Sequence, residues 1–328
     1  MKVLLIAEHG SKLGGGHLSR LFSIAEWLSD FDLEMCLYTN SLDSTFIEMF
    51  RKLKVTVNLF EHPNEIFEKN VARLDFCILD GDHFPEEIDL KLREKKCCRV
   101  IRISDRPIHY SHANYLINQN LGSETFGYRP IEGQVQKFGL QQLMLRKDIR
   151  LADTKARTPS IKRVVISFGN SKSLKTTQLL QSLIRNFSNA EFSQLQFLFF
   201  VSEPEGLSAI NTSNNIEIQV LADNFIEFTQ RADFLITSVG TTMWEAMAMG
   251  VSFAVVPMNF QQSEYASVLS SYKICDVLEI AEITQEGAVG FKLLQKALSV
   301  EFSDAKKEKI KQLLPKTYFS WLDEILNI

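Results

Sequence analysis

The residues best suited to chemistry near the start of the chain form one run, Gly14-Gly15-Gly16-His17-Leu18-Ser19-Arg20. It follows an apolar segment at 2–7, and Leu18, Leu21, Phe22, Ala25 and Leu28 then recur at helical spacing. A glycine turn feeding a helix offers free backbone N–H groups to an anion or to developing negative charge. It is not a dinucleotide fingerprint, because position 19 is Ser rather than Gly. It is not a P-loop either, since no Gly-Lys-Ser/Thr follows. His17 falls in the first helical turn, where the positive end of the dipole disfavours imidazolium. A neutral ring suited to general-base work is therefore expected. The plainer reading is a tight turn with His17 as a local cap, and spacing alone leaves the two level. Arg20 lies one turn along the same face, where it can hold an anion. A structurally paired arginine is the commoner case.

Other residues offer weaker signals. Asp80, Asp82 and His83 crowd a strand end, and Asp80 is expected to cap its loop. His109 and His112 have a spacing that fits a metal on a helix. The surrounding "DRPIHYSHANY" reads as a loop with no carboxylate in register, so no metal site is expected. In the second half a strand ends at Ser238, and Gly240-Thr241-Thr242 turns into a helix. Hydroxyls and backbone amides at such a helix start suit a diphosphate. Glu245 lies one turn inside, within reach of the sugar hydroxyls of a nucleotide resting there. The alternative is an exposed acid favoured by the helix dipole. Gly169, Asn170 and Ser171 follow another strand in the same way. Met243, Met247 and Met249 read as core filler.

The elements that must position these residues alternate. Apolar runs at 2–7, 33–39, 55–60, 74–80 and 98–104 read as strands, with helices at 44–53 and 86–95. Residues 119–160 break the rhythm, and the domain junction is placed near 145–160. Strands follow at 162–168, 195–201, 215–221, 233–238 and 252–258. Helices are expected at 176–187, at 223–232 with Asp223 as N-cap, and at 241–250 with Gly250 closing it. Two helices end the chain. The fold class is α/β: two doubly wound Rossmann-like domains, 1–150 and 151–328, facing across a cleft. Ligands are expected at the carboxyl ends of the strands.

Bulk composition excludes several classes. The 328 residues are 45% hydrophobic and 23% charged, a globular balance long enough for two cores. The net charge of -4 argues against a nucleic-acid surface. Five cysteines without disulfide or zinc spacing fit a reducing cytoplasm. The start reads as a strand and not as a signal peptide. No apolar stretch approaches the ~18 residues of a membrane span. The sequence does not fix an oligomeric state.

The order and spacing of the motifs resemble one family. A G-x-G-H-x-x-R turn, "ISDRPIHYSHANYLINQN", "LMLRKDI", "ISFGNS", a G-T-T-x-W-E helix and "VVPMNFQQSEYA" cover most of residues 1–270. They look like the GT-B-fold UDP-2,4-diacetamido-2,4,6-trideoxy-β-L-altropyranose hydrolases of pseudaminic acid biosynthesis and their spore-coat polysaccharide relatives. The resemblance implies a UDP-sugar substrate, with Glu245 on the ribose and Gly240, Thr241 and Thr242, beside Ser238, on the diphosphate. His17 would activate water, and UDP would leave the anomeric carbon with inversion, without metal or cofactor. Gly14, Gly15 and Gly16 would leave room for the sugar beside Arg20. Asp82 stands where many members place a tyrosine, and Gln261-Gln262 where an Asn-Gln pair is expected. Gly169 and Asn170 open the loop that is G-G-S-D-like in the family. The implied function is hydrolysis of a nucleotide sugar to UDP and a free deoxy-diacetamido sugar, in nonulosonic acid synthesis. The alternatives are a GT-B glycosyltransferase for surface polysaccharide and a non-catalytic sugar-nucleotide binder.

Overall fold

The computed structural model describes residues 1–8, 15–41, 43–62, 64–68, 74–81, 84, 85, 87–96, 99–106, 111–129, 131–152, 163–169, 173–188, 190–202, 204, 207, 213–220, 225–284 and 304–327. They form two compact units, Met1–Lys147 with Leu314–Ile328, and Asp148–Leu313.

The first unit is built on β1 (Lys2–Ala7), β2 (Glu34–Thr39), β3 (Thr56–Leu59), β4 (Phe76–Asp80), β5 (Arg99–Ile103), β6 (Tyr115–Asn118) and β7 (Val135–Phe138). All pair in parallel, in the order β3-β2-β1-β4-β5-β6-β7. Among the helices here are α1 (Gly16–Leu28), α2 (Ser44–Lys52), α3 (Glu65–Glu68) and α4 (Ile88–Lys96), with a further one at Ser320–Leu326. The run "KVLLIA" is apolar throughout because both faces of β1 are covered. Val3, Leu5 and Ala7 join Leu18, Leu21 and Ile24 of α1 in one core. Leu4 and Ile6 join Ile88 and Leu92 of α4 in another. From β1 the chain runs outward to β3, then returns to β4 on the other side of β1. The strand order therefore reverses between β1 and β4, where an open sheet parts its loops into a crevice.

Two expectations change here. Residues 119–160 do not simply leave the α/β rhythm, for β7 extends the sheet beyond β6. Both strands are four residues long, and β6 runs straight into the polar Gln119 and Asn120, so no apolar run marks them. The final residues also do not stay with the second half. Phe319, Trp321, Leu322, Ile325 and Leu326 are buried in the α1-side core of the first unit, where Phe319 stacks on Trp27 at 5.7 Å. They cover apolar surface that α1 alone leaves bare.

In the second unit, which α5 (Lys147–Arg150) leads into, β8 (Arg163–Ser167), β9 (Gln196–Val201), β10 (Ile216–Val220), β11 (Phe234–Ser238), β12 (Ser252–Val256) and β13 (Asp276–Val277) pair in parallel. Their order is β10-β9-β8-β11-β12-β13, so the reversal falls between β8 and β11. Among its helices are α6 (Leu174–Phe187), α7 (Phe225–Arg231), α8 (Thr241–Ala248) and α9 (Phe260–Tyr272). Phe187 stacks on Phe197 at 4.0 Å and anchors α6 to the sheet. Gly250 has φ +66°, which suits the left-handed turn that ends α8. The helix α9 lacks a sequence signature because only Tyr265, Ala266 and Leu269 are buried in a serine-rich segment. Asp223, Cys97 and Cys98 lie outside the described residues.

Candidate functional site

Both reversal points carry the residues singled out from the sequence. In the first unit, Ala7 and Asp80 are register partners at the ends of β1 and β4. The chain leaving β1 re-enters as α1, which lays His17 and Arg20 over that edge on one helical face. His17 Nδ1 lies 2.8 Å from Asp80 Oδ1. Arg20 forks onto the same carboxylate, with Nε to Oδ2 at 2.8 Å and Nη2 to Oδ1 at 2.7 Å. Its Nη1 reaches both oxygens of Asp105, just after β5, at 2.7 Å. His17, Arg20 and Asp80 are all buried.

The tautomer follows from these contacts. His17 Nδ1 also lies 2.8 Å from Arg20 Nη2. One ring nitrogen cannot donate to Asp80 and accept from Arg20 at once. A bare lone pair 2.8 Å from a carboxylate oxygen would be repelled, and Arg20 Nη2 has its own acceptor in Asp80 Oδ1 at 2.7 Å, so we assign the proton to Nδ1, donating to Asp80. That leaves the Nε2 lone pair as the acceptor.

The helix dipole does not govern the ring as expected. Burial pushes the His17 pKa down, but the Asp80 charge and hydrogen bond outweigh it, and the net direction is up. Arg20 is likewise desolvated, yet Asp105 and Asp80 hold its guanidinium firmly protonated. Asp105 is pulled below the usual carboxylate range, burial opposing and Arg20 prevailing. Asp80 is no loop cap: its carboxylate binds α1. Arg20 is a paired arginine, with Nε, Nη1 and Nη2 all engaged by carboxylates. At Gly15 a Cβ would meet the Phe46 ring at 3.1 Å, so glycine lets that ring pack closely against the backbone. Gly16 opens α1. Gly14, Asp82, His83 and His109 lie outside the described residues.

Sequence reasoning missed Asp80, Asp105 and Asn120 as members of this cluster. Asn120 Nδ2 donates to Asp105 Oδ1 at 2.8 Å and to Asn118 Oδ1 at 2.9 Å. The available signal was that two neighbouring strands each deliver an aspartate at their carboxyl ends.

In the second unit Thr237 and Ser167 are register partners, so β11 ends at Ser238 next to the end of β8. Gly240 precedes α8 in extended backbone, no side chain caps the helix, and a Cβ at Gly240 would meet nothing within 4 Å. The first N–H groups of α8, at Thr241 and Thr242, thus border open space, a suitable seat for an anion. Glu245 is buried, which removes the reading of an exposed first-turn acid. Gly169 has φ +67°, a left-handed turn that glycine permits. Gln262 is committed to the start of α9: its Oε1 accepts from Met258 N at 2.8 Å, and its N–H donates to Asn259 Oδ1 at 2.9 Å. Gln261 sits beside it, half-buried. Asn170 lies outside the described residues.

Two parallel α/β units of this order define the GT-B glycosyltransferase fold, and solved structures agree. The chain is similar to Arabidopsis thaliana UGT89C1 complexed with quercetin, with TM-score 0.70 and 11% identity over 99% of this chain and 98% of that one. The spinosyn rhamnosyltransferase SpnG complexed with thymidine diphosphate matches with TM-score 0.66 and 15% identity, covering 100% of both. S. aureus MnaA in its UDP co-structure matches with TM-score 0.65 and 11% identity, over 99% and 97%. No family model matches the chain. An uncharacterized protein of Methanocaldococcus jannaschii is 25% identical over 279 residues, 80% of this chain and 57% of that protein. The chain thus spans little more than half the length of that relative. No helix among the described residues is long and apolar enough to cross a membrane.

Proposed function

We propose that the protein binds a UDP-sugar and hydrolyses it, with His17 as the base. The observation that carries this reading is the 2.8 Å contact of His17 Nδ1 with Asp80 at the β1/β4 reversal, which leaves Nε2 to receive a proton. Water loses that proton to Nε2 as its oxygen bonds to the anomeric carbon. The bond from that carbon to the β-phosphate oxygen breaks, and UDP leaves with the electron pair. The product is a free sugar of inverted configuration, and His17 returns its proton to solvent. Asp80 offsets the imidazolium charge formed on the way. The α8 start, at Gly240, Thr241 and Thr242, receives the diphosphate, and the buried Glu245 the ribose hydroxyls. The motif resemblance supports a deoxy-diacetamido sugar bound for nonulosonic acid synthesis, and the cysteine pattern supports a cytoplasmic setting.

The solved relatives named as glycosyltransferases favour a second reading, in which His17 deprotonates an acceptor hydroxyl instead of water. The test is incubation with several UDP-sugars, with UDP and free sugar quantified separately. Release of both in water alone is expected. Release only after an acceptor is added would replace the hydrolase with the transferase.

A further inference from the structure

Asp105 has no assignment in the reaction above, yet it is tied into the same cluster. Both its oxygens accept from Arg20 Nη1 at 2.7 Å, and Asn120 Nδ2 holds Oδ1 from another side at 2.8 Å. Asn120 is itself fixed, since Asn118 Oδ1 accepts from its backbone N–H and from Nδ2, each at 2.9 Å. Asn118 Nδ2 in turn donates to the Tyr128 hydroxyl at 2.7 Å. A continuous chain of hydrogen bonds therefore runs from the end of β6 to Asp105, and Arg20 bridges Asp105 to Asp80 and the imidazole.

The charges give this chain a consequence. Two carboxylates share one guanidinium. With a neutral His17 ring the cluster carries one net negative charge; with a protonated ring it carries none. Without the Asp105 charge, Arg20 would offset Asp80 alone, and the neutral ring would already balance the cluster.

We propose that Asp105 is a positioning residue for His17: by engaging Arg20 on the side away from Asp80, it fixes the guanidinium fork on Asp80 and sets the proton affinity of the imidazole. The charged groups facing His17 are Arg20 on its own helix, Asp80 at the end of β4 and Asp105 after β5. Glu8, after β1, is a further carboxylate at this edge, beside Gly81. Burial and Arg20 depress the His17 pKa, while Asp80 and Asp105 raise it. The role in turnover rests on His17 being the base; the control of its titration rests on the cluster alone.

The experiment is a carbon-13 NMR titration of the histidine rings in the full chain without substrate, the His17 signal being identified with His17→Gln. Asp105→Asn lowers the His17 midpoint by about one pH unit or more. Asp105→Glu, which keeps the charge, restores most of it. The acid limb of UDP-sugar turnover moves with the midpoint. The Asp105 side chain keeps 24% of its surface exposed, so Asn is tolerated there. In the unmutated chain the Asp105 carboxyl carbon shows a step at the His17 midpoint. An unmoved midpoint in folded Asp105→Asn, or no step at Asp105 in the unmutated chain, overturns the proposal. A shifted midpoint without turnover on any UDP-sugar would sink the hydrolase reading and leave this one standing.

Discussion

At His17 two fields compete, and the closer one wins. The start of α1 opposes a positive ring, but Asp80 lies 2.8 Å away and Arg20 holds that carboxylate in place. The sign of the pH dependence follows. A raised folded-state pKa contributes stability that is present below the ordinary imidazole value of about 6.5 and is lost as pH rises through the folded value. The stability difference between wild type and His17→Gln, from urea denaturation, should therefore narrow as pH rises. For catalysis, His17→Ala should lower turnover by roughly 10²–10⁴-fold. Its UDP affinity by calorimetry should stay nearly unchanged, because the nucleotide contacts are assigned to α8. Glu245→Ala should do the reverse first, weakening UDP binding. His17 was visible in the sequence because glycines and a helical stripe frame it. The role of Asp80 was not, since its partners lie 60 and 63 residues away and only the sheet brings them together.

At the level of elements, the strand ends are held by close packing and by a buried ion pair. A Cβ at Gly81, directly after β4, would meet the Phe84 ring at 2.6 Å and Glu8 Oε2 at 2.7 Å. The Glu8 carboxylate can swing aside, but Phe84 is buried in the α4-side core. Gly81→Ala should therefore cost about 1–3 kcal/mol in thermal or denaturant unfolding. Arg102 of β5 pairs with Asp89 of α4 at 3.2 Å, both buried, while Ser111 donates to Asp89 at 2.8 Å. Burial pushes the Asp89 pKa up despite Arg102. Arg102→Leu strands a buried carboxylate and should cost roughly 3–5 kcal/mol. Adding Asp89→Leu should recover much of that, and a double-mutant cycle measures the recovery. The long apolar strands were legible because burial on both faces makes them uniformly apolar. β6, β7 and α9 were not, because short or edge elements bury too few side chains to leave a period.

Across the whole molecule, the alternation of strands and helices already implied two doubly wound sheets, since parallel strands require crossovers. What it could not give was the return of the last residues to the first unit. That depends on which core has a bare face, a tertiary fact. Removal of residues 314–328 takes five buried apolar side chains from the first core. The expected loss is roughly 5 kcal/mol or more, comparable to the whole stability of a domain. Calorimetry of that truncation should show the first unit's transition abolished and the second unit's retained. The GT-B fold hosts more than one chemistry, so the reaction must be argued from the site. On the proposed reading, Asp80 makes His17 a base toward a UDP-sugar. The most direct test of this reading is the pH dependence of UDP release from a UDP-sugar in water, for wild type and Asp80→Asn. The wild-type acid limb should titrate above the ordinary imidazole value, and Asp80→Asn should move it down and lower the maximal rate. A wild-type profile without an acid limb, or one that Asp80→Asn leaves unchanged, would contradict it.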